Sequence, residues 1–111
     1  MGMTTFDERE TAFENKFKHD KELEFKVTSR RNKLLGLWAA KLLGIDGAEA
    51  ETYAKAVLSA DFEKPGDQDV VNKLMADFKA KNVDMSEHRL RKQMDEFFST
   101  AKQQIMTEVK L

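Results

Sequence analysis

The apolar run LLGLWAAKLL at residues 34–43 is the feature that most constrains the fold of this chain. At helical spacing its side chains are apolar almost all round, which is typical of a helix buried on most sides. The run is shorter than the roughly 18 apolar residues that a membrane span requires. We therefore predict that it forms the centre of a helical core.

Four helical patterns fill the chain after its N-terminal segment. The first contains the apolar run and ends at Gly44, the position of a helix C-terminal glycine. The second ends near Pro65, the only proline in the chain. The third covers about residues 68–81 and is closed by Asn82, and Ser86 caps the last. Four helices joined by short loops predict an all-α four-helix bundle.

The N-terminal segment, residues 1–18, has a different pattern from the rest. Phe6, Phe13 and Phe17 fall within about 40° of one another on a helix. Nearly every position between them is charged or polar, so the stripe offers little apolar area. Isolated helices of about 12–15 residues are marginal in water. We therefore predict a mobile helical segment, partly disordered when free, attached to a bundle at residues 19–111.

The composition argues against several classes of function. Lys plus Arg (19) nearly cancel Asp plus Glu (20), so no net field attracts phosphate backbones and no nucleic acid partner is expected. The chain has no cysteine, which removes disulfides, thiolate metal sites and cysteine nucleophiles. No membrane span or secretory signal is recognisable, so we expect no direct membrane insertion and a cytoplasmic location.

No constellation of catalytic residues is recognisable in the sequence. There is no phosphate-binding loop, and neither His19 nor His88 belongs to a metal-binding motif. Asp67 and Asp69 lack the glycine and terminal glutamate of a calcium loop and are interpreted as helix-capping residues. We predict a protein that is not an enzyme and that uses no metal or cofactor.

Two basic clusters, at residues 29–33 and 88–92, could contact phosphate groups. Both lie at helical positions among core residues and acidic neighbours, so a solvated or salt-bridged face is the simpler interpretation. An alternative function is a sensor that binds adenine nucleotide weakly on this basic face. A generic helical adaptor is a further alternative.

Several long stretches of the sequence resemble one known family. The order TTFDERE, FENKFKHDKELEFK and RRNKLLGLWAAKLLG resembles the zeta subunit of alphaproteobacterial F-type ATP synthases. The later blocks ADFE at residues 60–63 and SEHRLR at residues 86–91 resemble the same family. The resemblance extends from Met3 to the last predicted helix, and strings of this length are far more specific than a short motif.

The resemblance implies an inhibitor of ATP hydrolysis built as a four-helix bundle with a mobile N-terminal inhibitory region. In that family the N-terminal segment enters a catalytic alpha/beta interface near the gamma subunit and obstructs rotation. The implied partners are therefore the alpha, beta and gamma subunits, at the cytoplasmic face of the inner membrane.

By position, the inhibitory segment of this chain runs from Met3 to about Lys18. Aromatic side chains are expected to anchor it in a cleft, and charged ones to set its register. The predicted contact residues are Phe6, Asp7, Glu8, Arg9, Phe13, Glu14 and Phe17.

Overall fold

The computed structural model describes residues 5–60 and 66–109, with side chains described from residue 8 onward. These ranges contain five helices and no strand, which confirms the all-α class. The helices are α1 (Thr5–Phe17), α2 (Lys21–Leu42), α3 (Gly47–Ala60), α4 (Gln68–Ala80) and α5 (Glu87–Glu108). The predicted turn at Pro65 lies outside the described residues.

Helices α2 and α5 are the two long helices of the molecule, with 22 residues each. At 1.5 Å per residue each is about 33 Å long. They run antiparallel, because Leu23 near the start of α2 shares a cluster with Ile105 near the end of α5, whereas Leu35 in the second half of α2 shares a cluster with Leu90 near the start of α5. This pair spans much of a molecule that measures 53 × 28 × 27 Å.

The main core lies between the second half of α2, helices α3 and α4, and the first half of α5. Its buried members are Leu35, Ala39, Leu43, Val57, Val70, Val71, Leu74, Phe78, Leu90 and Met94. Trp38 contacts Phe78 and Phe97 edge to face, with ring centres 6.0 and 6.2 Å away. The predicted burial of residues 34–43 is confirmed, although the side chain of Leu42 is 44% exposed.

Gly36 sets the close approach of α2 to α3. A Cβ atom at this position would lie 2.7 Å from the Cα atom of Ala54. Real Cβ atoms essentially never come so close to backbone, so the two helices could not reach this separation with a larger residue there. The close approach allows Ala54 and Val57 of α3 to be buried against α2.

The predicted helix ends at Gly44, Asn82 and Ser86 are confirmed. Gly44 follows α2 with a φ of +79°, and Asn82 follows α4 with a φ of +57°, both in the left-handed region. The Ser86 hydroxyl accepts a hydrogen bond from the Arg89 N–H at 3.1 Å.

The prediction that Asp67 caps a helix is wrong for its side chain. Asp67 does occupy the N-cap position of α4, but its carboxylate makes no capping hydrogen bond. It accepts two hydrogen bonds from Arg31, at 2.9 and 3.1 Å. The Arg31 side chain also bonds Asn32, and both residues are buried. A buried guanidinium requires a carboxylate partner, so this ion pair takes precedence over the cap.

A second polar contact links α3 to α4. The Tyr53 hydroxyl donates a hydrogen bond to Asp77 at 2.6 Å, and the Lys73 ammonium bonds the same carboxylate at 3.1 Å. Burial of the hydroxyl and its bond to Asp77 raise the pKa of Tyr53 well above its ordinary value. The phenol therefore stays neutral and keeps donating at any physiological pH.

Replacement of Gly36 by alanine tests the α2–α3 approach. Gly36→Ala is expected to lower the free energy of unfolding by about 1–3 kcal/mol because the added methyl group overlaps the backbone of α3. Helix propensity alone would favour alanine by up to about 1 kcal/mol. Urea denaturation followed by circular dichroism measures whether the free energy of unfolding falls or rises. Comparison of Lys33→Gly with Lys33→Ala measures how much of that change comes from helix propensity on the same helix. A stabilised Gly36→Ala protein would contradict the close approach.

Candidate functional site

Helix α1 is a separate unit joined to α2 by a short turn. It ends at Phe17, where the backbone N–H of Lys18 donates to the carbonyl of Glu14 at 3.2 Å. Asp20 then begins α2 by accepting a hydrogen bond from the Leu23 N–H at 3.1 Å. The predicted break after Phe17 is therefore confirmed, and each helix has its own end.

Phe13 is the main apolar contact of α1 with the rest of the molecule. Its side chain is only 1% exposed. It belongs to a second core cluster, between the first half of α2 and the last turns of α5, whose other buried members are Leu23, Val27, Ala101, Ile105 and Met106. Residue 13 thus buries nearly all its apolar surface against its own chain.

Phe17 extends this contact along α5. Its ring stacks on that of Phe13 with centres 6.1 Å apart and meets Phe98 edge to face at the same distance. The ammonium of Lys102 lies 4.9 Å from the centre of the Phe17 ring, within cation–π range. Lys102 also forms an ion pair with Glu14. A single α5 lysine therefore holds two of the predicted contact residues.

Arg9 bonds the carboxyl end of α5. Its guanidinium donates to the backbone carbonyls of Met106, Thr107 and Val109 at 2.7, 3.2 and 3.1 Å. The last carbonyls of a helix have no partners inside the helix, and a positive charge is favoured beside them. The Arg9 side chain therefore acts as a cap for α5, although the two segments are far apart in sequence.

The predicted contact residues thus divide into three groups. Arg9, Phe13, Glu14 and Phe17 are brought together on α5. Glu8 is exposed. The side chains of Phe6 and Asp7 lie outside the described residues. Residues 5–17 are seen as a docked helix, and the predicted mobile state is not shown.

Sequence reasoning missed the α5 residues that receive α1. The apolar stripe of α5 continues through Ile105 and Met106, beyond the main core, and this excess length was a usable signal. Lys102 and the carbonyl group of Val109 gave no signal, because a polar helix terminus looks the same whether or not another helix docks on it.

The seam between α1 and α5 is incompletely filled. It contains a cavity of about 160 Å³. The lining residues are Glu10, Phe13, Glu14, Ser99, Lys102, Gln103 and Met106. Most of this lining is charged or polar, so this part of the interface is not a close-packed apolar contact.

A larger groove of about 640 Å³ lies between α2, α3 and the end of α5. Apolar side chains in it are Phe25, Ala54, Leu58, Ile105 and Val109, and charged ones are Lys26, Arg30, Lys33, Glu51, Lys55 and Glu108. The groove combines the aromatic side chain of Phe25, which is 54% exposed, with several cations. Ser29, Arg30 and Lys33, which belong to the basic cluster at 29–33, line this concave surface.

Part of this positive charge is already paired, as the salt-bridge interpretation predicted. Arg30 donates two hydrogen bonds to Glu108 at 2.7 and 2.8 Å and a third to Gln104. The hydrogen bond from Arg30 lowers the pKa of Glu108 below its ordinary value, so the pair stays charged at neutral pH. In the second basic cluster, Arg91 pairs with Glu87 at 3.0 Å.

Residues 5–60 and 66–109 contain no group of three or more His, Asp or Glu side chains placed to hold a metal ion. Within the same ranges, no helix is both long enough and apolar enough to cross a bilayer.

These features define a class of protein, a small helical bundle that carries a separate amphipathic helix rich in aromatic and charged contacts. Comparison with known proteins identifies the family. The sequence profile described as ATPase inhibitor subunit zeta matches residues 3–104. The chain therefore belongs to the zeta family of ATPase inhibitor subunits, as the resemblance predicted. Membership makes it a non-catalytic subunit and implies inhibition of the F-type ATP synthase.

A solved structure supports the fold. A protein determined by solution NMR is 41% identical to this chain, covers 78% of it and 99% of its own length, and superposes with a TM-score of 0.69. No curated protein sequence matches the chain significantly.

The Phe13 contact predicts that α1 can be loosened without unfolding the bundle. In a core that stays packed, Phe→Ala lowers the free energy of unfolding by about 3–5 kcal/mol. Here the loss cannot exceed the free energy that holds α1 on α5, because α1 can detach instead. Phe13→Ala is expected to increase the hydrogen exchange and fast backbone motion of α1 amides, while amides of α2–α4 remain protected. The exposed Asn15→Ala substitution is the control on the same helix. Equal loss of protection in all helices would show instead that α1 is an integral part of the core.

Proposed function

We propose that this chain blocks ATP hydrolysis by inserting α1 at a catalytic alpha/beta interface of the F-type ATP synthase, close to gamma. The observation that carries the proposal is the separation of α1 from α2 by the turn at residues 18–20, with an aromatic stripe on one face of α1. Family membership supplies the target. The bundle would then position the inserted helix, and binding would occur at the cytoplasmic face of the inner membrane.

The aromatic residues supply most of the apolar contact in this proposal. Phe13 and Phe17 lie one turn apart on α1, and Phe6 precedes them at helical spacing. Full burial of such a ring contributes roughly 1.5–3 kcal/mol before the cost of ordering the segment. Three phenylalanines at this spacing would act as the anchors of a helix bound in a groove.

The charged residues of α1 would set the register in the cleft. Arg9 and Glu14 already form directed contacts on α5, which shows that their side chains can reach acceptors and donors flanking an apolar surface. Glu8 and Asp7 add negative charge at the first turn, where the helix dipole favours it. A buried charge that loses its partner weakens binding by more than an exposed ion pair strengthens it. A helix bound in the wrong register would leave such charges unpaired, so these residues would favour the correct register.

Deletion of residues 1–18 tests the inhibitory role of α1. The truncated protein is expected to keep the helical circular dichroism of α2–α5 and to lose inhibition of ATP hydrolysis by the cognate synthase. The full-length Asn15→Ala protein should inhibit normally, because Asn15 is exposed and lies outside the predicted contact set. Full inhibition by the truncated protein would show that the bundle, rather than α1, is the inhibitor.

A second candidate function, weak binding of adenine nucleotide, is favoured by the groove beside Phe25. Lys26, Lys33 and Lys55 line this groove together, so their ammonium groups could contact the phosphates of a nucleotide. The third interpretation, a generic helical adaptor unrelated to energy conversion, loses its basis because the chain belongs to an ATPase inhibitor family.

Titration with ATP or ADP tests the second candidate. Amide signals of α2 and α3 that line the groove should shift on addition of nucleotide, and Lys55→Glu should weaken the effect several-fold by reversing one phosphate-binding charge. Lys92→Glu, an equal charge change at an exposed α5 position away from the groove, is the control. Unchanged spectra at millimolar nucleotide would exclude the sensor.

A further inference from the structure

The larger groove, between α2, α3 and the end of α5, has an apolar floor. The apolar side chains of its floor are Ala54, Leu58, Ile105 and Val109. The lining extends over positions 25–33 of α2 and 51–58 of α3, so each wall is about 10–12 Å long, or two helical turns. The volume of about 640 Å³ is within the range of ligand-binding sites. The groove therefore has the length and volume to receive the apolar face of a short helix.

Specific contacts fix the walls of this groove. A Cβ atom at Gly36 would lie 2.7 Å from the Cα atom of Ala54, so α2 and α3 are packed as closely as their backbones allow. Arg30 donates two hydrogen bonds to Glu108, at 2.7 and 2.8 Å, which join the end of α5 to α2. A site that is formed before its ligand arrives avoids most of the cost of ordering side chains and loops on binding.

Cations outnumber carboxylates around the groove. Four lysine or arginine side chains line it, against two glutamates. Arg30 and Glu108 neutralise each other. Lys33 on α2 and Lys55 on α3 are exposed, and within residues 5–60 and 66–109 neither forms an ion pair. The groove is thus a locally positive surface on a chain whose net charge is −1.

The arrangement of charge and apolar surface favours one kind of ligand. Lys33 and Lys55 lie on different walls, with the apolar floor between α2 and α3. An amphipathic helix with carboxylates beside its apolar stripe complements this pattern, since its stripe would cover the floor and its carboxylates would meet the lysines. A nucleotide fits less well, because its phosphates concentrate several negative charges in a groove that Glu51 and Glu108 also line.

We propose that this groove binds an acidic amphipathic helix of the F-type ATP synthase, as a contact of the bundle in addition to the insertion of α1. The proposal rests on the proposed function for its partner. The described residues that line the groove belong to α2, α3 and the end of α5, so both contacts can form in one complex. Two contacts linked in one chain raise the effective concentration of each at its own site. Binding in the groove therefore increases affinity for the synthase, whereas α1 blocks hydrolysis.

A photoreactive side chain in the groove tests which molecule binds there. The amino acid p-benzoylphenylalanine replaces Ser29, an uncharged lining residue, and the full-length protein is irradiated with purified cognate synthase. We expect a cross-link to a synthase helix in which Asp or Glu residues flank apolar ones. The same group in place of Lys92, an exposed α5 residue outside the groove, is the control and should not reach that helix. No cross-link from position 29, or a cross-link to a segment without acidic residues, would overturn the proposal.

Two other ligands of the groove would be recognised by the same measurement. A cross-link from position 29 to a second copy of this chain, in place of the synthase, would make the groove a surface for self-association. Groove amides that shift with ATP, together with no cross-link to the synthase, would make it a nucleotide site. Either result overturns the proposal.

Reversal of the two lysine charges tests what the groove contributes to inhibition. Lys33→Glu/Lys55→Glu is expected to raise the half-inhibitory concentration about ten-fold. Maximal inhibition at saturating protein should not change, because α1 is intact. The difference from wild type should shrink as ionic strength rises. Lys79→Glu/Lys92→Glu, the same charge change at exposed positions outside the groove, is the control. Thermal unfolding followed by circular dichroism verifies the fold, and Lys33→Gln/Lys55→Gln gives a milder variant with a smaller expected loss.

The outcomes separate this proposal from the proposed function. Inhibition by Lys33→Glu/Lys55→Glu at the wild-type concentration would overturn the groove contact and leave the insertion of α1 standing. A lower maximal inhibition at an unchanged half-inhibitory concentration would assign the lysines to the inhibitory step and would also overturn it. Full inhibition by the protein without residues 1–18 would instead sink the insertion of α1, whereas the cross-link from position 29 would still report binding in the groove.

Discussion

The burial of α2 along its whole length is the constraint on which the rest of the structure depends. Its second half enters the main core through Leu35, Ala39 and Leu43, and its first half enters the second cluster through Leu23 and Val27. A helix of 22 residues cannot be covered by one short neighbour. The long antiparallel α5 covers it at both ends, α3 and α4 complete one cluster, and α1 completes the other.

The two core clusters hold different sets of helices together. The main core joins four helices and contains the Trp38, Phe78 and Phe97 rings, so it holds the bundle together. The second cluster is smaller and includes α1, whose remaining contacts are a helix-end cap by Arg9 and a partly exposed ion pair. The buried members of the main core come from α2–α5 alone, so the packing of α1 is separate from the packing that holds the other four helices together.

Local signals predicted the elements well, because they depend on neighbouring residues. The break after Phe17, the C-terminal glycine at Gly44 and the cap at Ser86 were all readable in this way. The role of Asp67 was misjudged for the converse reason. Its choice between a cap and an ion pair depends on Arg31, which lies on another helix and is buried there.

The sequence by itself determined the all-α class, the positions of helix ends, the buried run at residues 34–43 and the aromatic stripe of α1, since each follows from periodicity or local chemistry. Only the tertiary structure decided where that stripe lies in the isolated chain. The docking of Phe13 and Arg9 on α5 joins residues nearly a hundred positions apart, as the separation of 97 between Arg9 and Met106 shows. No local pattern encodes such a pairing, because it depends on the antiparallel arrangement of α2 and α5 that brings α1 beside the last turns of α5.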